Sequence, residues 1–131
     1  MAFRLYRTDD GTMPGWEYLP CSAVRPVVGL AMKLNGSTGR LVISDTPQYI
    51  SMREEYGNVV DGTVIPVMKI HPDQVWETQL DGACALKIGA AADVSADGLL
   101  MDADSTADGV FLITEMEGTT AGSIVRGRFV K

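Results

Sequence analysis

Two neighbouring segments near the end of the chain decide the fold. They read Val110-Phe111-Leu112-Ile113-Thr114-Glu115 and Ser123-Ile124-Val125-Arg126-Gly127-Arg128-Phe129-Val130, and a turn over residues 117–122 joins them. β-Branched and aromatic residues dominate both segments, as is typical of strands. In the second segment, alternation places Ile124, Arg126 and Arg128 on one face and Val125, Gly127 and Phe129 on the other. The pattern predicts two strands, the second with one cationic and one apolar face.

Further strand patterns, bounded by turn residues, occupy much of the remaining chain. An apolar run over residues 23–34 suits an edge strand, and a turn over residues 35–39 joins it to Arg40-Leu41-Val42-Ile43-Ser44, which predicts a hairpin. Strands are also predicted over 3–6, 48–52, 62–70, 74–78 and 85–88. The last lies in an alanine-rich span that Gly82 and Gly89 make too short for a helix. The sequence therefore predicts an all-β fold, either a compact β-barrel or a sandwich.

A chain of 131 residues is most simply one domain. Residues 1–22 contain a short strand and a stretch of turn formers over 9–15, and they are predicted to be an N-terminal arm or edge element. Residues 23–131 are predicted to be a single β domain. Within that domain, residues 23–80 and 81–131 share a strand and turn pattern that predicts a pseudo-repeat. The matched segments are Gly29–Leu34 with Ala83–Ile88, Gly39–Val42 with Asp97–Leu100, Tyr49–Met52 with Phe111–Thr114, and Gly62–Val67 with Gly122–Gly127.

Charge, apolar content and cysteine number limit the partners and the compartment that we expect for the chain. The net charge is −6, and the eleven basic residues are scattered, so we expect no direct binding to nucleic acid. No apolar run approaches the length of a membrane span, and the N-terminus has no signal-peptide core. We therefore expect the protein to be made in a cytoplasm and not to associate with a membrane. Cys21 and Cys84 are predicted to be buried thiols rather than a disulfide, because a reducing compartment is the default.

Residues that carry chemistry are scarce, and we expect neither catalysis nor a bound metal or cofactor. The single histidine, His71, sits between Ile70 and Pro72 and is predicted to be structural or exposed, because a general base also needs an orienting partner and a cleft. One acidic segment of the second half contains Asp93, Asp97, Asp102, Asp104 and Asp108. Residues 102–109 begin like a calcium loop, but alanine replaces the turn glycine and isoleucine the final glutamate, so a solvated turn is predicted.

Two exposed-looking groups are candidates for contact with a partner. Trp16 and Tyr18 are of the residue types that protein interfaces favour, although they also suit a cover for the chain's own core. Arg126 and Arg128 fit either an ordinary solvent face or a subunit contact with carboxylates, of which the solvent face is the simpler interpretation.

The strand pattern of the second half resembles that of small head decoration proteins of tailed bacteriophages, also called auxiliary capsid proteins. The resemblance is carried by residues 86–89, 97–99, 109–113 and 121–130, and it is one of strand and turn pattern. It implies a structural virion protein with a compact β-barrel, made in the host cytoplasm, that binds the outer surface of the head as a homotrimer and stabilises the shell.

The same resemblance implies that the major capsid protein is the partner and that the N-terminal arm makes the contact. Phe3, Tyr6, Trp16 and Tyr18 are then the matching contact residues. Two alternatives remain open from the sequence. One is another phage part, such as a head-tail connector or tail-tube subunit, and the other is a small β-barrel ligand-binding module or enzyme whose acidic loops line a pocket.

Overall fold

A computed structural model describes residues 2–106 and 108–130 of the chain. In these residues it contains eleven β-strands and no helix, which confirms the predicted all-β fold. The strands are β1 (Arg4–Thr8), β2 (Trp16–Cys21), β3 (Ala31–Asn35), β4 (Arg40–Ile43), β5 (Tyr49–Ser51), β6 (Thr63–Lys69), β7 (Gln74–Gln79), β8 (Ala91–Val94), β9 (Met101–Asp102), β10 (Phe111–Met116) and β11 (Ile124–Phe129).

The strands divide between a barrel and a sheet. Strands β2, β4, β3, β5 and β6 close a barrel in that order, while β1, β7, β11, β10, β8 and β9 form a six-stranded sheet. The hairpin predicted around the turn at residues 35–39 is confirmed, because β3 and β4 pair antiparallel from Met32 opposite Ile43 to Asn35 opposite Arg40. The two strands predicted near the end of the chain are confirmed as β10 and β11, and they pair antiparallel.

The barrel and the sheet share one order of strand pairings. In the barrel, neighbouring strands follow the order β2, β6, β5, β3, β4, and in the sheet they follow the order β7, β11, β10, β8, β9. Counted along the chain within each set of five strands, both orders are first, fifth, fourth, second, third. A parallel contact of Cys21 with Leu41 closes the barrel, and Leu80 makes the corresponding parallel bridge to Met101. Single hydrogen bonds also recur, since Gly29 N donates to Ser51 O and Gly89 N to Ile113 O, both at 2.8 Å. This recurrence is one of strand pairing, and the pseudo-repeat of strand and turn pattern in the sequence stays a prediction.

The predicted strand over residues 85–88 is wrong. Those residues lie outside the strands, and the chain becomes extended only at β8. Glycine explains the shift, because Gly89 adopts a φ of +96° and turns the chain immediately before β8. The structural counterpart of Gly29 is therefore Gly89, not Ala83.

Two apolar cores hold the molecule together. The smaller core fills the barrel and includes Cys21, Leu41 and Ile65. The larger lies between barrel and sheet and contains an aromatic cluster of Phe3, Trp76, Phe111 and Phe129, in which the rings of Phe3 and Phe129 are 5.4 Å apart between centroids. Cys84 belongs to the larger core, so the two cysteines are buried in different cores and unpaired, as predicted.

The predicted N-terminal arm is not confirmed, because both of its strands lie in the sheets. Strand β1 pairs with β7, and β2 pairs with β6 over its whole length. Phe3 is only 2% exposed and packs in the aromatic cluster. A segment that buries a phenylalanine and pairs its backbone on a sheet edge is an integral part of the fold.

Candidate interaction surface

One face of β2 and β6 points into the barrel and the other points outward. Trp16 lies opposite Met68, Tyr18 opposite Pro66, and Pro20 opposite Val64. Because side chains alternate along a strand, these residues share the outward face, while Cys21 lies inside. Trp16 is 52% exposed, Tyr18 66% and Val64 56%. We call Trp16, Tyr18 and Val64 the aromatic stripe.

The buried side chains of the inward face hold β2 and β6 in place, so the aromatic stripe stays on the outside. Ile65 and Val67 are fully buried in the barrel, so they fix the register of β6, and β6 fixes β2. Met68, at one end of the outward face, is buried in the larger core, so the stripe begins where the contact between barrel and sheet ends. Exposed aromatic side chains on a rigid strand pair are typical of a surface that buries itself against a protein partner.

A second cluster lies on the outer face of β1, β7, β10 and β11. It consists of Arg4, Tyr6, Glu77, Glu115, Glu117 and Arg126, and we call it the arginine cluster. Glu77 accepts hydrogen bonds from Arg4 and from Arg126 Nε, the latter at 2.8 Å. Arg126 also binds Glu115, and its Nη2 donates to Glu117 Oε2 at 2.8 Å. Its guanidinium carbon stands 4.3 Å from the centroid of the Tyr6 ring.

Glu77 is the centre of the arginine cluster, and its side chain is 1% exposed. Burial raises the pKa of this carboxyl, but hydrogen bonds from Arg126 and Arg4 outweigh burial and hold the pKa below its ordinary value. The Glu115 carboxylate in turn raises the pKa of Arg126. Glu77 is therefore a paired, ionised group that ties β1 and β11 to β7.

Arg128 forms a separate ion pair. Its Nη1 and Nη2 donate to the two carboxylate oxygens of Asp9 at 3.0 and 2.8 Å, and Nη1 also donates to Pro72 O at 3.0 Å. The hydrogen bond from Arg128 lowers the pKa of Asp9. The cationic face that alternation predicts for β11 is thus present, but both arginines bind carboxylates of their own chain. A role for them at a subunit contact stays a prediction.

The six residues predicted for contact do not form one patch. Trp16 and Tyr18 lie in the aromatic stripe, Tyr6 and Arg126 lie together in the arginine cluster, and Arg128 lies beside Asp9. Phe3 is separated from all of them because it is in the core. Sequence reasoning missed Val64 and Glu77, for which the only local signal was the alternation within β6 and β7.

The remaining chemical groups are dispersed. His71 is exposed, and its main-chain N–H donates to Gln74 Oε1 at 2.8 Å. In the acidic segment, Asp97 and Asp102 use their carboxylates to accept local backbone N–H groups, at Leu99 and Asp104. Among the described residues, no group of three His, Cys, Asp or Glu side chains is placed to hold a metal ion. The described part of the chain also has no helix that could cross a membrane.

Comparison with known proteins gives no relative. No family model matches the chain, and no curated protein and no solved structure matches it either. The surfaces described above therefore carry the functional argument.

Proposed function

We propose that this chain is a structural protein of a tailed bacteriophage particle, a decoration protein that binds the outer surface of the head and stabilises the shell. The observation that carries the proposal is the aromatic stripe, which presents two aromatic side chains, each more than half exposed, on a strand that pairs with β6 over its whole length. The all-β fold supports the same class, and the resemblance in strand pattern supplies the partner, the major capsid protein.

The energetics of such a surface suit a repeated lattice. A stripe of three apolar side chains is small compared with a standard interface of about 800 Å² on each partner, so a single copy would bind weakly. Three copies joined as a homotrimer would bind the lattice together, and their contacts would reinforce one another. The arginine cluster has its charges satisfied within the chain, which leaves the stripe as the surface with most to gain from a partner.

Binding to heads tests the proposal. Heads are assembled without this chain from the genome that encodes it, and the purified wild-type protein is then tested for cosedimentation with them. We expect the wild type to bind and Tyr18→Ala to bind at least about tenfold more weakly, because truncating an aromatic hot-spot residue costs about 2 kcal/mol or more.

The matched control is Tyr56→Ala, which removes an even more exposed tyrosine from the loop between β5 and β6. This variant should bind like the wild type. Equal losses for Tyr18→Ala and Tyr56→Ala would show that the stripe is not the contact surface, and a wild type that stays in the supernatant would refute the proposed function.

A further inference from the structure

Strand β2 has one edge that no other strand covers over most of its length. On one side it pairs with β6 from Trp16 to Cys21, but on the other it meets β4 only at Cys21. Within the described residues, no strand lies beside Trp16 to Pro20 on that side. The edge is therefore open next to the aromatic stripe.

The hydrogen-bonding groups of Tyr18 face this open edge. Pro66, its partner on β6, has no N–H, and its carbonyl accepts from Met52 N at 2.9 Å on the opposite side of β6. Tyr18 and Pro66 thus form a pair that exchanges no hydrogen bonds, so the Tyr18 N–H and C=O point away from β6. An exposed donor and acceptor at a strand edge form a template for an additional strand.

The second half of the molecule shows what occupies such an edge. Counting from the closing contacts, Tyr18 is three residues before Cys21, and Glu77 is three residues before Leu80. The residue opposite Glu77 on β11 is Arg126, and the residue opposite Tyr18 on β6 is Pro66. The edge of Glu77 is filled by β1, with Arg4 as its direct partner. The site that β1 covers on β7 is thus the site that is open on β2.

We propose that the open edge of β2 receives an extended segment of the capsid protein as an added antiparallel strand. This inference rests on the proposed function for the identity of the partner. If the segment pairs as β1 does with Gln74 to Glu77, it pairs with residues 15–18. The side chain opposite Tyr18 then lies on the outward face, where an apolar residue would cover the aromatic stripe. Pro20 limits the added strand, because it offers no N–H beyond that point.

A second copy of this chain fits the edge less well. Antiparallel pairing of β2 with itself around Tyr18 would set Trp16 opposite Pro20 twice, so that a donor is missing at each end. It would also bring together two chains that each carry a net charge of −6. Both arguments favour a different protein as the source of the strand.

The test compares two substitutions at one position. Tyr18→Ala and Tyr18→Pro both remove the ring, but only Tyr18→Pro removes the edge N–H. We expect Tyr18→Pro to bind heads about fivefold to tenfold more weakly than Tyr18→Ala, which corresponds to the loss of about one net backbone hydrogen bond. Because the Tyr18 N–H donates nothing to β6, both variants should fold, and urea unfolding of each variant checks this. Trp16→Pro and Trp16→Ala form a second pair at the next outward-facing position.

The outcomes separate the two proposals. If the proline and alanine variants bind heads equally at both positions, strand addition is wrong while the decoration function stands. If the wild type itself does not bind heads, the proposed function fails and this inference fails with it. A wild-type dimer by light scattering that Tyr18→Pro dissociates would assign the edge to a second copy and overturn the capsid strand.

Discussion

At the scale of single residues, Glu77 shows how this small fold tolerates a buried charge. A carboxylate with almost no exposure would be costly in isolation, but two arginines from two different strands donate to it. Arg4 is largely exposed while Arg126 is mostly covered, so Arg126 provides the better shielded of the two bonds. Because the bonds cross from β1 to β7 and from β11 to β7, they hold three strands in register.

Replacing this carboxylate should weaken the fold. We expect Glu77→Gln to lower the free energy of unfolding by about 2 kcal/mol, since it removes charged hydrogen bonds and leaves Arg126 with fewer partners. The control is Glu117→Gln, which alters the same cluster at an exposed position and should cost less than about 1 kcal/mol. Urea unfolding measures both, and equal effects would contradict the central role of Glu77.

The same group predicts how stability depends on pH. The folded pKa of Glu77 lies below its ordinary value of 4.5, so its ionisation stabilises the fold above that pH, and the stabilisation is lost as the pH falls through the folded pKa. Asp9 acts in the same direction through Arg128. We expect the thermal midpoint to fall from pH 6 to pH 3 by more in the wild type than in Glu77→Gln. Parallel curves would show that Glu77 contributes nothing to the acid sensitivity.

At the scale of elements, local patterns predicted those strands whose register is set by their own alternation. The face of β11 that buries Val125, Gly127 and Phe129 could be read directly from the sequence. The true place of β1 could not, because it depends on where Phe3 finds a pocket among aromatic residues more than a hundred positions away. Residues 85–88 misled for the opposite reason: their composition suits a strand, but none of these four residues forms a strand pairing within the described residues.

The integral role of β1 leads to a test with two aromatic residues of the same segment. Phe3→Ala should lower the free energy of unfolding by about 3 to 5 kcal/mol because it leaves a cavity in the aromatic cluster. Tyr6→Ala, at an exposed position of β1, should cost about 1 kcal/mol through its contact with Arg126. An N-terminal arm detached from the domain would instead make both substitutions nearly silent in chemical unfolding.

Alanine substitutions at two corresponding glycines distinguish the cost of backbone strain from the cost of steric crowding. Gly29 and Gly89 have φ values of +95° and +96°, but an added Cβ at Gly29 would lie 2.4 Å from Phe3 O, whereas Gly89 has open space. We expect Gly89→Ala to cost about 1 to 2 kcal/mol and Gly29→Ala about 3 kcal/mol, since the latter also displaces the start of the chain. Thermal and urea unfolding measure both, and a smaller effect at Gly29 would contradict the packing of Phe3 against it.

At the scale of the whole molecule, the two halves use one order of pairings to make two different surfaces. On the sheet, β1 pairs with the edge of β7 at Glu77, and arginines on the outer face neutralise the Glu77 carboxylate. On the barrel, the corresponding face around Tyr18 is apolar and open. The sequence predicted that Trp16 and Tyr18 were candidates, but not that Arg126 and Arg128 would be satisfied within the chain. Glu77, the buried partner of Arg126, and Asp9, the partner of Arg128, lie 49 and 119 residues away, where no local pattern reaches.

The most direct test of the central claim is the copy number of this chain in phage particles. Particles are purified from the source strain, and quantitative mass spectrometry compares the chain with the major capsid protein. A decoration protein that covers the head should be present in numbers comparable to those of the capsid subunit. A few copies in each particle would place the chain in a connector, and its absence from particles would contradict the account altogether.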